Sequence, residues 1–163
     1  MYEIISIIGM YLLGLWIKFM DLIGRRRIIL DRESDEPYLE RYYMFLTNRN
    51  ICPFNIFIHK FLKSDPDDLH DHPWGFTTFI IAGGYWEYLD KDTKVWRAPF
   101  TCRTVRDPKF LHRIELDRNI PYCWTIFIPH KKQRDWGFIR NGKWIQHEEY
   151  FRIKRAEKGK KIE

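Results

Sequence analysis

Two histidines separated by one residue, His70 and His72, follow an acidic loop in the middle of the sequence and precede Trp74. If this stretch is extended, side chains two residues apart point to the same side, so both imidazoles can reach one metal ion. Ordinary surface histidines at the end of a loop would give the same pattern. The spacing therefore allows a metal site without requiring one.

A third histidine, His112, shares one face of the segment FLHRIEL with Ile114 and Leu116, while Arg113 and Glu115 occupy the other face. We expect the apolar face to point into the protein, which would bury His112. A buried imidazole without a partner is costly, so it needs a hydrogen bond or a metal ion. The residues alone leave both alternatives open.

Other residues are weaker candidates for a functional role. His59 shares a strand face with two phenylalanines, so it could be a base or a fourth ligand in a pocket, or a core histidine. Glu87 could be a metal ligand or a general base, or it could lie on the outer face of a strand. Arg103 and Arg106 face opposite ways if they share a strand, and one of them could bind a substrate carboxylate or phosphate.

These residues lie in a series of short apolar and aromatic segments that are separated by turn residues. Many short strands at regular spacing are typical of a β-sandwich or β-barrel. The predicted strands are 38–46, 54–62, 75–82, 85–89, 94–100, 101–106, 110–116, 122–128, 135–140 and 143–151.

An apolar segment at 2–23 is too long for one strand and predicts a helix, with Gly24 as the residue that ends it. Its uncharged stretch, Ile4 to Ile17, is 14 residues long. A helix that crosses a bilayer needs about 18 or more. The helix could therefore dock on the protein body or in an oligomer contact, or it could anchor the chain at a membrane.

Composition bounds the remaining possibilities. The 163 residues suggest one domain, and the 45% hydrophobic content excludes a disordered chain. Much of the net charge of +6 comes from the tail 151–163, which could bind nucleic acid or anionic lipid or simply be solvated. Three cysteines without CxxC spacing, Cys52, Cys102 and Cys123, indicate a reduced setting. With no signal peptide evident, we expect a cytoplasmic protein.

The spacing of several of these residues resembles the cupin superfamily. After His70 and His72 come four residues, Thr77, six residues and Gly84, which is the spacing of the first cupin motif with Thr77 in its Glu position. His112 stands for the lone histidine of the second motif. Most of the chain, including the stretches GRRRIILDRESDEPYLERYY and FNIFIHKFLKSDPDDLHDHPW, also looks like small uncharacterised cupin-like proteins of bacteria and phages.

The resemblance implies a mainly β fold, a cupin-like antiparallel β-barrel or jelly roll with an N-terminal α-helix. Together with the apolar N-terminal segment and the basic C-terminal segment, it predicts a helix at 1–24, a cupin domain at 25–150 and a basic tail at 151–163. It maps His70, His72 and His112 onto metal-ligand positions, with Thr77 near the emptied Glu position.

The chemistry that the resemblance implies is that of a mononuclear divalent metal ion, with Fe, Zn, Mn and Ni as candidates. Open coordination positions would suit an oxygenase-like, for example dioxygenase-like, enzyme that acts on a small polar molecule, and a zinc-bound water could instead drive hydrolysis or isomerisation. The alternative is a non-catalytic binding or scaffold module. Expected partners are a small-molecule substrate and a second copy in a homodimer, with nucleic acid and a membrane surface as weaker candidates.

Overall fold

The computed structural model describes residues 2–31, 34–45 and 55–160 of the chain. Two helices flank the strands: α1, Tyr2–Leu22, and α2, His147–Lys160. The strands are β1, Arg26–Leu30; β2, Pro37–Tyr43; β3, Phe57–Phe61; β4, Phe76–Ala82; β5, Tyr85–Tyr88; β6, Lys94–Arg97; β7, Cys102–Val105; β8, Arg113–Glu115; β9, Cys123–Pro129; β10, Gly137–Arg140; and β11, Lys143–Gln146.

The strands form three antiparallel sheets. The largest has six strands in the order β1-β2-β3-β9-β4-β7, the second has the order β6-β5-β8, and β10 and β11 form a hairpin. The core cluster combines residues from the first two sheets, so these sheets pack face to face. Its members are Leu39, Phe61, Ile80, Tyr85, Ile114 and Cys123. The mainly β, antiparallel fold class predicted above is confirmed.

All ten predicted strands overlap strands of the structure, but one strand and one helix were missed. Strand β1 was not predicted; its register with β2 pairs Arg26 with Tyr42 and Ile29 with Leu39. The strand begins with arginines, which do not by themselves indicate a strand. In the structure, Arg26 contacts Asp21 and Glu40.

The segment predicted as a strand at 143–151 changes to helix at His147. The side-chain oxygen of Gln146 accepts hydrogen bonds from the backbone nitrogens of Glu148 (2.8 Å) and Glu149 (3.4 Å), which caps the start of α2. Tyr150 in this helix is fully buried. The boundary expected between residues 150 and 151 therefore falls inside α2, and 151–160 belong to that helix.

The predicted N-terminal helix is confirmed, and it ends as expected at Gly24. This residue has a φ of +67°, and the backbone nitrogens of Gly24 and Arg25 donate to the carbonyl oxygens of Asp21 and Met20. That pair of bonds is a Schellman motif, which a glycine adopts at little cost. Within the described residues, no helix is both long enough and apolar enough to cross a membrane.

Candidate metal centre

Backbone pairing brings the three predicted ligands together. The backbone nitrogen of His70 donates to the carbonyl oxygen of His112 (2.9 Å), and the nitrogen of His112 donates back to His70 (3.0 Å). His70 also bridges to Phe138 of β10. The stretch with His70 and His72 is therefore not a full strand. His70 forms isolated bridges to His112, just before β8, and to Phe138 in β10.

The three imidazoles converge. One ring nitrogen from each of His70, His72 and His112 lies within 4.8 Å of the other two. The Nε2 atoms of His72 and His112 are 2.8 Å apart. His70 and His112 are buried, and His72 is half-buried. This geometry could hold one metal ion.

Glu87 fixes the tautomer of His112. Its Oε1 lies 2.7 Å from Nδ1 of His112, so Nδ1 carries the proton that the carboxylate accepts. Nε2 of His112 is then left with its lone pair directed at the cluster. A carboxylate behind a ligating histidine is the arrangement that commonly orients such ligands in metal sites.

Two arginines hold Glu87 in turn. Its side chain is 1% exposed, Nε of Arg97 donates to Oε2 at 2.7 Å, and the guanidinium of Arg103 contacts the same oxygen. Two cations beside a buried carboxylate favour its ionised form. Arg103 was a candidate for substrate binding, whereas Arg97 was not among the predicted site residues. The alternation of Tyr85 and Glu87 in β5 was the available signal that Glu87 points inward.

Burial keeps the three imidazoles neutral. Loss of solvation lowers the pKa of His70 to about 4, although the nearby Asp65 opposes the shift. Burial likewise lowers the pKa of His112 to about 4 and holds the pKa of His72 well below its usual value. Neutral imidazole is the form that binds metals, so the donor set suits a metal ion at neutral pH.

A cavity of about 390 Å³ lies against the histidines. Trp74 and Tyr85 contribute to its wall without filling it, whereas Trp124 does not line it. Much of the wall is aromatic, and Phe76 packs against both His72 (5.0 Å between ring centroids) and His112 (5.7 Å). The site therefore has room for a small molecule beside the three imidazoles.

Two other candidate residues, Thr77 and His59, lie outside the three-histidine cluster. Thr77 faces away from the cavity, since its hydroxyl contacts Thr104 (3.0 Å) and His130 (3.2 Å), while Phe76 and Thr78 line the cavity. The expectation that Thr77 lies near the histidines is therefore corrected: the alternation of β4 turns it outward. His59 does line the cavity, but it is not part of the three-histidine cluster.

Asp71, between the two clustered histidines in sequence, points away from them. It is 2% exposed and accepts hydrogen bonds from the backbone nitrogen of Gly137 (2.7 Å) and Nε1 of Trp144 (2.9 Å). The guanidinium of Arg134 also contacts it. These bonds attach the β10–β11 hairpin to the histidine-bearing stretch.

Solved structures resemble this fold at low sequence identity. HppE in its iron(II) form aligns over 66% of this chain and 57% of that chain, with a TM-score of 0.51 and 12% identity. A cupin-2 domain protein from Rhodospirillum rubrum aligns over 67% and 72%, with a TM-score of 0.48 and 11% identity. A cupin-like protein from Thermotoga maritima aligns over 71% and 83%, with a TM-score of 0.46 and 12% identity.

The fold resembles that of the iron(II) HppE chain. At these identities the likeness concerns the fold alone, and the chain spans little more than half of the HppE chain. No protein-family model matches the sequence, and no curated protein matches it. The function of this mainly β domain therefore has to follow from the residues of its own site.

Proposed function

We propose that the cupin-like domain is a metal-dependent enzyme, oxygenase-like in its chemistry, that acts on a small polar molecule. The observation that carries this proposal is the convergence of three neutral, largely buried imidazoles on one side of a cavity of about 390 Å³. Concave sites with a few convergent polar groups are where proteins usually bind small molecules.

His70, His72 and His112 would hold the ion. Imidazole ligands suit Fe, Zn and Ni, whereas Mn prefers oxygen ligands that this cluster lacks, so Mn is the weakest of the four candidates. We take iron(II) as the first choice, since the compared HppE structure is an iron(II) form. When bound, such an ion supplies a Lewis acid and open positions for substrate and dioxygen.

The chain's own residues prepare this site. Glu87 keeps the proton of His112 on Nδ1, and Arg97 keeps Glu87 in position. Because both oxygens of Glu87 are engaged, we assign it to positioning His112 rather than to proton transfer with the substrate. Phe76 and Phe127 give the cavity apolar walls, and apolar surroundings strengthen electrostatic interactions.

Metal content measured by elemental mass spectrometry tests the proposal. We expect about one transition-metal ion per chain in the wild type, and loss of that ion in His70→Ala/His112→Ala with the circular dichroism spectrum retained. His130→Ala, which changes an exposed histidine, is the matched control and should keep the ion. Equal metal content in the double variant and the wild type would contradict the proposal.

The oxygenase assignment has its own assay. In the iron(II)-loaded protein we expect nitric oxide, a dioxygen surrogate, to bind and give a high-spin electron paramagnetic resonance signal. The signal should be absent from the double variant. A loaded wild type that binds iron(II) but not nitric oxide would exclude dioxygen chemistry and leave hydrolysis or isomerisation as the reaction class.

The exposed face of α1 favours the predicted homodimer. Large apolar residues recur along it at alternating spacings of four and three, as in a coiled-coil seam. They are Ile8, Leu12, Leu15, Phe19 and Leu22, with exposed fractions from 46% to 85%. Light scattering tests this: Leu12→Lys/Phe19→Lys should shift a dimer to monomer, while Met10→Lys, off the stripe, should not.

The same helix supports the second candidate function, a non-catalytic binding module. A separate apolar cavity of about 680 Å³ lies between α1 and the outer face of the six-stranded sheet, lined in part by Trp16, Ile58 and Trp124. A wild type that binds no metal ion but still associates through α1 would favour this function. Pelleting with anionic vesicles, and nucleic-acid binding at varied salt, separate the two remaining partner predictions from self-association.

A further inference from the structure

Two buried polar side-chain atoms on neighbouring strands, one from a histidine and one from a threonine, have no hydrogen-bond partner within the described residues. His59 of β3 and Thr125 of β9 are directly paired in the sheet register. Their exposed fractions are 3% and 1%, and both line the cavity. Nδ1 of His59 and Oγ1 of Thr125 are buried and make no hydrogen bond within the described part of the chain. Buried polar groups without partners are uncommon in proteins, so the pair suggests a missing ligand.

Arg41 determines what His59 offers to that ligand. Arg41 is paired with His59 in the register of β2 and β3, and its Nε donates to Nε2 of His59 at 3.0 Å. Nε2 is therefore the unprotonated nitrogen, and a neutral imidazole then carries its proton on Nδ1. Burial, and then the charge of Arg41, hold the pKa of His59 well below its usual value, so the ring stays neutral. His59 thus presents a hydrogen-bond donor.

A row of aromatic rings connects this pair to the histidine cluster. The ring of Phe127 stacks on His59 with 5.1 Å between centroids, and Phe76 stacks on Phe127 at 5.2 Å. Phe76 in turn packs against His72 at 5.0 Å. A planar apolar group lying along these two phenylalanines would therefore have one end at His59 and the other at the candidate metal ligands.

We propose that His59 and Thr125 form an anchoring subsite for a carboxylate of the substrate, whose apolar part lies along Phe76 and Phe127. A carboxylate has two acceptor oxygens, one for the Nδ1 proton of His59 and one for the hydroxyl of Thr125. The guanidinium of Arg41, one strand further along, favours an anionic group over a neutral carbonyl. A phosphate would bring more charge and more oxygens than this pair can satisfy.

Titration calorimetry with benzoate tests the subsite, because benzoate combines a carboxylate with a planar apolar ring. We expect His59→Phe to weaken benzoate binding by about tenfold or more, and Thr125→Val to weaken it severalfold. Thr104→Val makes the same chemical change on an exposed strand and should bind like the wild type. Thr125→Val should also be at least as stable as the wild type without ligand, because it removes an unpaired buried hydroxyl.

The benzoate test can fail or succeed independently of the metal-binding test. The identification of the bound carboxylate as the substrate rests on the proposed function. His70→Ala/His112→Ala that loses its metal ion but keeps benzoate binding dependent on His59 supports the subsite. The subsite proposal would be overturned if the wild type did not bind benzoate. It would also be overturned if His59→Phe and Thr125→Val bound benzoate as tightly as the wild type does. Inorganic phosphate that binds more tightly than benzoate, and loses affinity in the same variants, would overturn the carboxylate assignment.

Discussion

Two buried carboxylates, Asp71 and Glu87, differ in what they contact. Asp71, 2% exposed, accepts from a backbone nitrogen, an indole and a guanidinium, all between residues 134 and 144. Glu87, 1% exposed, accepts from the imidazole of His112 and contacts the guanidinium groups of Arg97 and Arg103. Both carboxylates have hydrogen-bond and ion-pair partners, which a buried charge requires.

The partners of a buried carboxylate distinguish a structural role from a role in a site. Every partner of Asp71 belongs to the C-terminal region, so its bonds attach that region to the domain. One partner of Glu87 is an imidazole whose other nitrogen faces two further histidines. Burial and charge are alike in the two residues, and only the identity of the partner distinguishes their roles. The following variants test that distinction.

Removal of Asp71 should have the largest effect on folding. Asp71→Ala leaves Arg134 without its carboxylate and the Gly137 nitrogen without an acceptor, which we expect to lower the free energy of unfolding by about 3 kcal/mol. Urea unfolding followed by tryptophan fluorescence measures this loss. Asp135→Ala, which removes an exposed carboxylate nearby, should change stability by less than about 0.5 kcal/mol. Equal stability of the two variants would contradict the structural role of Asp71.

Glu87→Gln should act mainly on metal binding. A glutamine can donate its amide to Nδ1 of His112 and so move the imidazole proton to Nε2, where it blocks a metal ion. We expect zinc affinity, measured by competition with a chelator, to fall about 10–100-fold. Glu115→Gln changes a half-exposed carboxylate in the same sheet and serves as the control. Unchanged affinity in Glu87→Gln would show that the carboxylate does not orient a ligand.

The metal-free protein should lose stability in acid, and His59 should contribute to that loss. Because the pKa of His59 in the folded protein lies well below 6.5, only the unfolded chain takes up this proton as the pH falls below that value. Its contribution is therefore complete above pH 6.5 and decreases below it, by up to about 1.4 kcal/mol per pH unit. Unfolding measured between about pH 7 and pH 5 should show a shallower slope in His59→Phe. An identical slope would contradict a neutral buried His59.

Loss of an exposed carboxylate should change the free energy of unfolding least. Glu157 of α2 accepts two bonds of 2.8 Å from Arg140, but its side chain is 50% exposed. We expect Glu157→Gln to lower the free energy of unfolding by less than about 1 kcal/mol, since solvent and salt screen such pairs. Thermal unfolding of Glu157→Gln and the wild type at low and high salt measures this loss. A loss as large as that of Asp71→Ala would mean that burial is not what separates these carboxylates.

Much of the local structure could be predicted because it depends on short-range periodicity. The inward placement of His112 and Ile114 and the helix ending at Gly24 all follow from spacing and residue type. The exceptions are segments whose local signal competes with a tertiary contact. β1 begins with arginines, and its backbone pairs with β2. Tyr150 and its neighbours in 143–151 have strand-like composition, but α2 starts at the cap formed by Gln146.

Residue spacing was enough to predict which side chains share a face: His70 with His72, His112 with Ile114, and His59 with its neighbouring phenylalanines. Alternation along a strand is a property of the backbone, so it needs no knowledge of the fold. The contact of Glu87 with His112 and the position of Thr125 beside His59 could be read only from the folded protein. Those meetings depend on which strands pair and in what register, and that choice comes from burying two sheets against each other, which no local pattern encodes.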